Sequence, residues 1–222
     1  MFWQKRKLAI AGLIVTLITH LQAQDIPLRY LALGDSYTIG ESVTEKDRWP
    51  NQLASQLSKT NNKEVKTSII ATTGWRTDNL MNAITIAKLK DEYDLVSLLI
   101  GVNNQYQGKS IEQFATEFEE LLKTSIRLAQ GNKENVFVVS IPDYGFTPYG
   151  QKNQSKISKE IDQFNDVSKK ITDQYNVRYI NITDISRQGM IQPSLVASDG
   201  LHPSGAMYSL WVERIAKQIT LR

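Results

Sequence analysis

Leu95–Asn104, LVSLLIGVNN, is the stretch on which the reading of the fold turns. Leu95–Ile100 is apolar almost throughout and lacks the alternation of a strand with one face in water. It therefore reads as a strand buried on both faces, the habit of parallel sheets covered by helices. Gly101 stops the run, and two amides, Asn103 and Asn104, follow at once. Working outward, Arg29–Leu33, Val65–Ala71, Val136–Ile141 and Val177–Ile180 are four further short runs of this kind. Helical stripes lie between them: Trp49 to Leu57; Leu80, Ala83, Ile84 and Ala87; Ile111, Phe114, Phe118, Leu121, Leu122 and Ser125; Ile157, Ile161, Phe164, Ile171 and Tyr175; and finally Met207, Leu210, Trp211, Ile215 and Ile219. Ser110 and Gln113 have the spacing of a capping box, and Gly131 stands where a helix should end. Strand and helix alternating about five times predict a three-layer α/β/α domain on a parallel sheet with right-handed crossovers.

In such sheets functional groups gather at the carboxyl ends of the strands. Gly34-Asp35-Ser36-Tyr37 follows the first strand, Thr73-Gly74-Trp75 the second and Gly101-Val102-Asn103-Asn104 the third. Asp199-Gly200-Leu201-His202-Pro203 precedes the last helix. Acyl transfer by a serine needs a base within reach, an acid to orient that base, and donors for the oxyanion. Ser36 fits the nucleophile and His202 the base, with Asp199 three residues earlier in a Gly- and Pro-containing loop that can turn its carboxylate onto the imidazole. The backbone N–H groups of Ser36 and Gly74 and the side-chain amide of Asn103 are the candidate oxyanion donors. Taken singly, Gly74 also suits a plain turn, and Asn103 suits a residue capping its own backbone.

The chain has 222 residues, 41% hydrophobic and 22% charged, which suits one globular domain. Residues 1–24 stand apart. Lys5, Arg6 and Lys7 form a basic start, Leu8 to Ile18 an apolar stretch too short for a comfortable membrane span, and Ala23 a small residue suited to cleavage. This predicts a signal peptide over 1–24, export to the periplasm or beyond, and a mature domain over 25–222 with no stable membrane insertion after cleavage. Retention of the segment as an anchor is the other reading. The 26 basic residues, less the three in this segment, leave 23 against 23 acidic ones, so the mature balance is neutral and carries no electrostatic footprint for nucleic acid. There is no cysteine, hence no disulfide, thiolate chemistry or lipid-modified cysteine.

The four clusters, in this order and spacing, resemble the blocks of SGNH/GDSL hydrolases: Leu33-Gly34-Asp35-Ser36, Gly74, Gly101-Val102-Asn103 and Asp199-Gly200-Leu201-His202. The resemblance spans nearly all of the mature chain. It implies a flavodoxin-like sheet, a Ser36–His202–Asp199 triad and an oxyanion hole of Ser36, Gly74 and Asn103. It also implies hydrolysis of carboxylic esters or thioesters without metal or other cofactor. Substrates of the family include lysophospholipids, acyl thioesters, aryl esters and acetylated sugars, so small-molecule, lipid or sugar esters are the expected partners. One position departs from the family pattern: Asn104 stands where an aspartate is common.

Other classes fit less well. A zinc deacetylase needs several His or Cys ligands, and only His202 remains once His20 is assigned to the signal. A dinucleotide-binding protein would carry G-x-G-x-x-G after a strand, and none is found. A non-catalytic glycan- or lipid-binding module would not need both Ser36 and His202. Trp75, Arg76, Tyr106 and Tyr144 are the candidate substrate contacts, with Phe146 and Tyr149 nearby; surface packing is the alternative for each. Asp143 to Lys156 reads as a loop bordering the site, and little chain remains for a lid. Acetyl-to-hexanoyl esters are therefore expected to be preferred over long-chain ones.

Overall fold

The computed structural model describes residues 26–219; the expected signal segment lies outside them. Five strands form one parallel sheet: β1 (Leu28–Gly34), β2 (Val65–Ala71), β3 (Leu95–Leu99), β4 (Val136–Val139) and β5 (Arg178–Ile180), in the order β2-β1-β3-β4-β5. The main helices are α2 (Trp49–Asn61), α3 (Thr77–Ala87), α5 (Ile111–Leu128), α6 (Gln154–Gln174) and α8 (Gly205–Ala216). α2 packs against α8 on one face of the sheet, while α3, α5 and α6 pack side by side on the other. All five residues of β3 are buried, as a strand covered on both faces must be. Short helices α1 (Ser36–Ile39), α4 (Val102–Tyr106) and α7 (Thr183–Ser186) sit directly after β1, β3 and β5.

The strand order is that of flavodoxin-like folds, in which the chain leaves β1 to one side for β2 and returns to the other side as β3. The loops after β1 and β3 therefore diverge and leave a crevice between them. This is where the first and third polar clusters stand.

Some elements differ from the sequence reading. The fourth run leaves the ladder at Val139 because Asn165 of α6 takes its backbone: Asn165 Oδ1 accepts from Ile141 N at 2.8 Å and Nδ2 donates to Ile141 O at 2.9 Å. Ser110 caps α5, accepting from Gln113 N at 3.1 Å, but the box is half made. The Gln113 side chain instead donates to Glu117 Oε1 at 2.8 Å, an anionic acceptor one turn on. Leu210 was expected in the core and is 37% exposed; the buried face of α8 is Met207, Tyr208, Trp211, Val212 and Ile215, which recur at helical spacing and leave Leu210 to one side. The segment from Asp143 is no open loop, since two 3₁₀ turns (Tyr144–Phe146 and Gln151–Asn153) lead straight into α6.

Candidate active site

Ser36 is the first residue of α1, a helix of four residues closed by Gly40 in the left-handed conformation. Asp35 caps it: Oδ1 accepts from Tyr37 N at 3.0 Å. As the first helical residue, Ser36 has no intrahelical acceptor for its N–H, which stays available. Gly34 is required by space, because a Cβ there would lie 2.5 Å from Leu99 O and closer still to the Thr38 hydroxyl. Thr38, fully buried, fills the room that this glycine leaves beside β3.

Asp199 and His202 come from the loop before α8. Asp199 Oδ1 accepts from both Leu201 N and His202 N at 2.9 Å, so the backbone turns the carboxylate toward the ring. Asp199 Oδ2 then meets His202 Nδ1 at 2.7 Å. Burial pushes the Asp199 pKa up, but hydrogen bonds from Ser42, His202 and Leu201 outweigh it and hold the carboxyl well below its ordinary range. Tyr37 closes one side of the imidazole, edge to face at 5.5 Å between centroids. With Nδ1 committed to Asp199, the other ring nitrogen is the one available for proton transfer.

Ser36 and His202 line one cavity of about 190 Å³, together with Tyr37, Gly74, Asn103, Tyr106 and Tyr144. Ser36 and His202 share this cavity but are not hydrogen-bonded to each other. Gly74 has φ +82, which an L side chain rarely adopts, and a Cβ there would meet no atom within 4 Å. Its reason is thus backbone angle rather than crowding, and its N–H makes no hydrogen bond among the described residues. Asn103 Nδ2 donates to Trp75 O at 3.0 Å. That bond fixes the amide and occupies one of its two hydrogens. The structure thus brings the three expected oxyanion donors to the cavity that Ser36 and His202 share.

It does not bring all the expected substrate contacts there. Trp75 packs on the core, and Arg76 is held by Asp78 at 2.7 Å and Gln107 at 2.6 Å; neither lines the cavity. Tyr106 and Tyr144 do line it, and Tyr149 joins them. The three rings lie 6.2 to 6.5 Å apart, and the Tyr106 and Tyr149 hydroxyls meet at 2.6 Å. Tyr144 is buried and donates to Gln105 Oε1 at 3.0 Å, whereas Tyr106 and Tyr149 are 56% and 53% exposed. Phe146 lies beside the Arg187 guanidinium instead.

Asn104, the departure from the family pattern, is fully buried and bonded at both ends of its amide: Oδ1 accepts from Thr77 N at 3.1 Å, and Nδ2 donates to Thr77 Oγ1 at 2.7 Å. The Thr77 hydroxyl donates in turn to Glu117. Asp35 is the other buried polar group beside the nucleophile. Burial pushes its carboxyl up to about 7, and the Tyr37 N–H draws it partly back. Its Oδ2 has no partner among the described residues. Nor do three His, Cys, Asp or Glu side chains meet, among those residues, in a grouping able to hold a metal ion.

Residues 32–210 match the model of the GDSL-like lipase/acylhydrolase family. Among solved structures, an acetylxylan esterase from Geobacillus stearothermophilus superposes with TM-score 0.68 at 16% identity, covering 89% of this chain and 97% of that one. A lipase/acylhydrolase from Enterococcus faecalis gives 0.65 at 18%, covering 86% and 94%. The psychrotrophic esterase EstA from Pseudoalteromonas sp. gives 0.61 at 16%, covering 86% and 95%. At these identities the likeness is one of fold. No curated protein sequence matches the chain.

Proposed function

This chain belongs to the GDSL-like lipase/acylhydrolase family and is a carboxylic ester hydrolase, and from that premise we propose that it cleaves short acyl esters through Ser36, His202 and Asp199. The observation that carries the reading is the convergence on one cavity of a serine hydroxyl, an imidazole paired with a carboxylate, and three N–H donors. Ser36 Oγ attacks the acyl carbon while His202 takes its proton at Nε2. Asp199 holds Nδ1–H and stabilises the imidazolium that forms. Charge that develops on the carbonyl oxygen is met by the N–H groups of Ser36, Gly74 and Asn103. As the tetrahedral intermediate collapses, the His202 proton passes to the leaving alcohol. Water, activated by the same imidazole, then releases the acid from the acyl-Ser36 ester.

The cavity supports a small acyl group. A cavity of about 190 Å³ has room for an acyl group from acetyl to about hexanoyl. Among the described residues no lysine or arginine lines it, which favours neutral ester substrates over anionic ones. Sugar acetates are within this range, and one of the proteins of similar fold is an acetylxylan esterase. We also read residues 1–24 as an export signal, so that the working domain is 25–222. Edman sequencing of the protein recovered outside the cytoplasm should begin close to residue 24.

A fluorophosphonate, which phosphonylates an activated serine, tests the central assignment. Mass spectrometry of a digest should place the adduct on the Ser36 peptide, with labelling abolished in Ser36→Ala. An unlabelled but active wild-type protein, or an adduct on another serine, would overturn it. Failure to label together with absent turnover on every ester would favour a binding module on this fold.

A further inference from the structure

Ser42 lies in the loop after α1, six residues beyond the nucleophile, in the left-handed conformation at φ +64. A serine without a glycine's freedom holds that conformation at an energetic cost, so something in the fold must keep it there. Its hydroxyl donates to Asp199 Oδ2 at 2.5 Å. That is the oxygen that faces His202 Nδ1. The neighbouring residue, Glu41, accepts from the hydroxyl of Thr73, next to Gly74. One short loop thus grips both the segment that carries the base and the segment that carries an oxyanion donor.

We propose that Ser42 is a positioning residue for ester hydrolysis, tying the loop of the nucleophile to the orienting carboxylate of the base. The proposal rests on the triad reading above. Two effects follow from one hydrogen bond. Ser36 and Asp199 belong to distant parts of the chain, and the Ser42–Asp199 bond, between residues 157 apart, fixes the distance between their loops. The bond also draws electron density from Oδ2 and so moderates its pull on the imidazole Nδ1–H. Asp199 Oδ1 keeps its two backbone donors whatever happens at Ser42, so removing the hydroxyl leaves the carboxylate in place but with one partner fewer on Oδ2.

Ser42→Gly removes the hydroxyl and suits the positive φ, so a folding defect is not expected. In this variant kcat should fall about 3- to 10-fold, less than the full worth of a hydrogen bond to a charged group because Ser42 acts through the imidazole, with KM changed less than twofold. His202 is the only histidine in residues 25–222. Its Nδ1–H proton is therefore a single reporter in the NMR spectrum of the mature protein, and in Ser42→Gly it should move downfield as Oδ2 becomes a stronger acceptor. Ser42→Asn, which tolerates a positive φ and keeps a side-chain donor for the carboxylate, should recover part of the lost kcat. An unchanged kcat with an unchanged Nδ1–H resonance in Ser42→Gly overturns the role of Ser42. A Ser36→Ala enzyme with wild-type turnover removes the triad itself, and this role with it; an inactive Ser36→Ala beside an unaffected Ser42→Gly removes only the latter.

Discussion

At the scale of single residues, the proposed triad makes unequal demands on its members. Ser36→Ala and His202→Ala should each lower kcat by roughly 10⁵–10⁶, since nucleophile and base act as a unit. Asp199→Ala should cost about tenfold to a hundredfold less, because that carboxylate orients and stabilises without touching the substrate. Asn103→Ala should lower kcat by roughly 10²–10³ with KM little changed. Steady-state kinetics on p-nitrophenyl acetate separates these outcomes, and an Asp199 variant more damaged than the serine variant would reverse the roles. Asp35 makes a different prediction. Its folded pKa, about 7, lies above the unfolded carboxylate value, so the native state holds a proton that the unfolded chain releases. Stability is therefore lost as pH rises from about 4 to about 7 and is level above that. Asp35→Asn keeps an acceptor for Tyr37 N and removes the titration. Its melting temperature should gain on the wild type across that interval, by a few degrees at pH 8. Equal pH slopes for the two proteins would refute the buried acid. Ser36, His202 and Asp199 were legible in the sequence because each lies in a short, recognisable block. Ser42 was not, since its partner is 157 residues away and its left-handed φ leaves no mark on the residue type.

At the scale of elements, buried polar side chains do much of the joining. Asn104, in the middle of α4, supports the first turn of α3 through Thr77, and Thr77 reaches Glu117 on α5. An amide suits this position because it can donate to the threonine oxygen while that hydroxyl gives its own hydrogen to Glu117. A carboxylate would compete with Glu117 for the single threonine proton. Asn104→Asp should thus destabilise by about 1–3 kcal/mol at pH 8, and less at pH 5 where one carboxyl can carry a proton. Chemical denaturation at the two pH values measures the difference; equal losses would argue against the shared proton. The sequence shows that Asn104 departs from the family pattern but not why, because Thr77 and Glu117 meet it only in three dimensions. Helix and strand periodicity was read well where one face is buried continuously, as in β3 and α5. It failed at Leu210, where an apolar residue beside the stripe was counted into it, and at Ile141, where the Asn165 side chain takes the backbone out of the ladder.

At the scale of the whole molecule, the proposed preference for short acyl esters rests on the cavity at the carboxyl edge of the parallel sheet. Activity on p-nitrophenyl esters, measured below their micelle limits, should be highest between acetyl and hexanoyl and fall for dodecanoyl. A steady rise in kcat/KM out to dodecanoyl would point to a lysophospholipase or thioesterase role. The architecture was legible from five apolar runs and the helical stripes between them, because each strand of such a sheet advertises its own burial. The tyrosines at the mouth were only partly legible. Tyr106, Tyr144 and Tyr149 reach the cavity, whereas Trp75 and Arg76, which seemed equally placed beside Gly74, are held by the core and by Asp78 and Gln107.

The hydrogen bond between Ser42 and Asp199, which spans most of the chain, also has a meaning in time. A ribosome makes Ser36 long before it makes Asp199 and His202. Until the segment with Asp199 and His202 arrives, Ser36 stands without a proton acceptor and Ser42 without the carboxylate it grips. In the proposed arrangement the hydrolase is inert until that later segment is made, and its docking onto the earlier loop is what arms it.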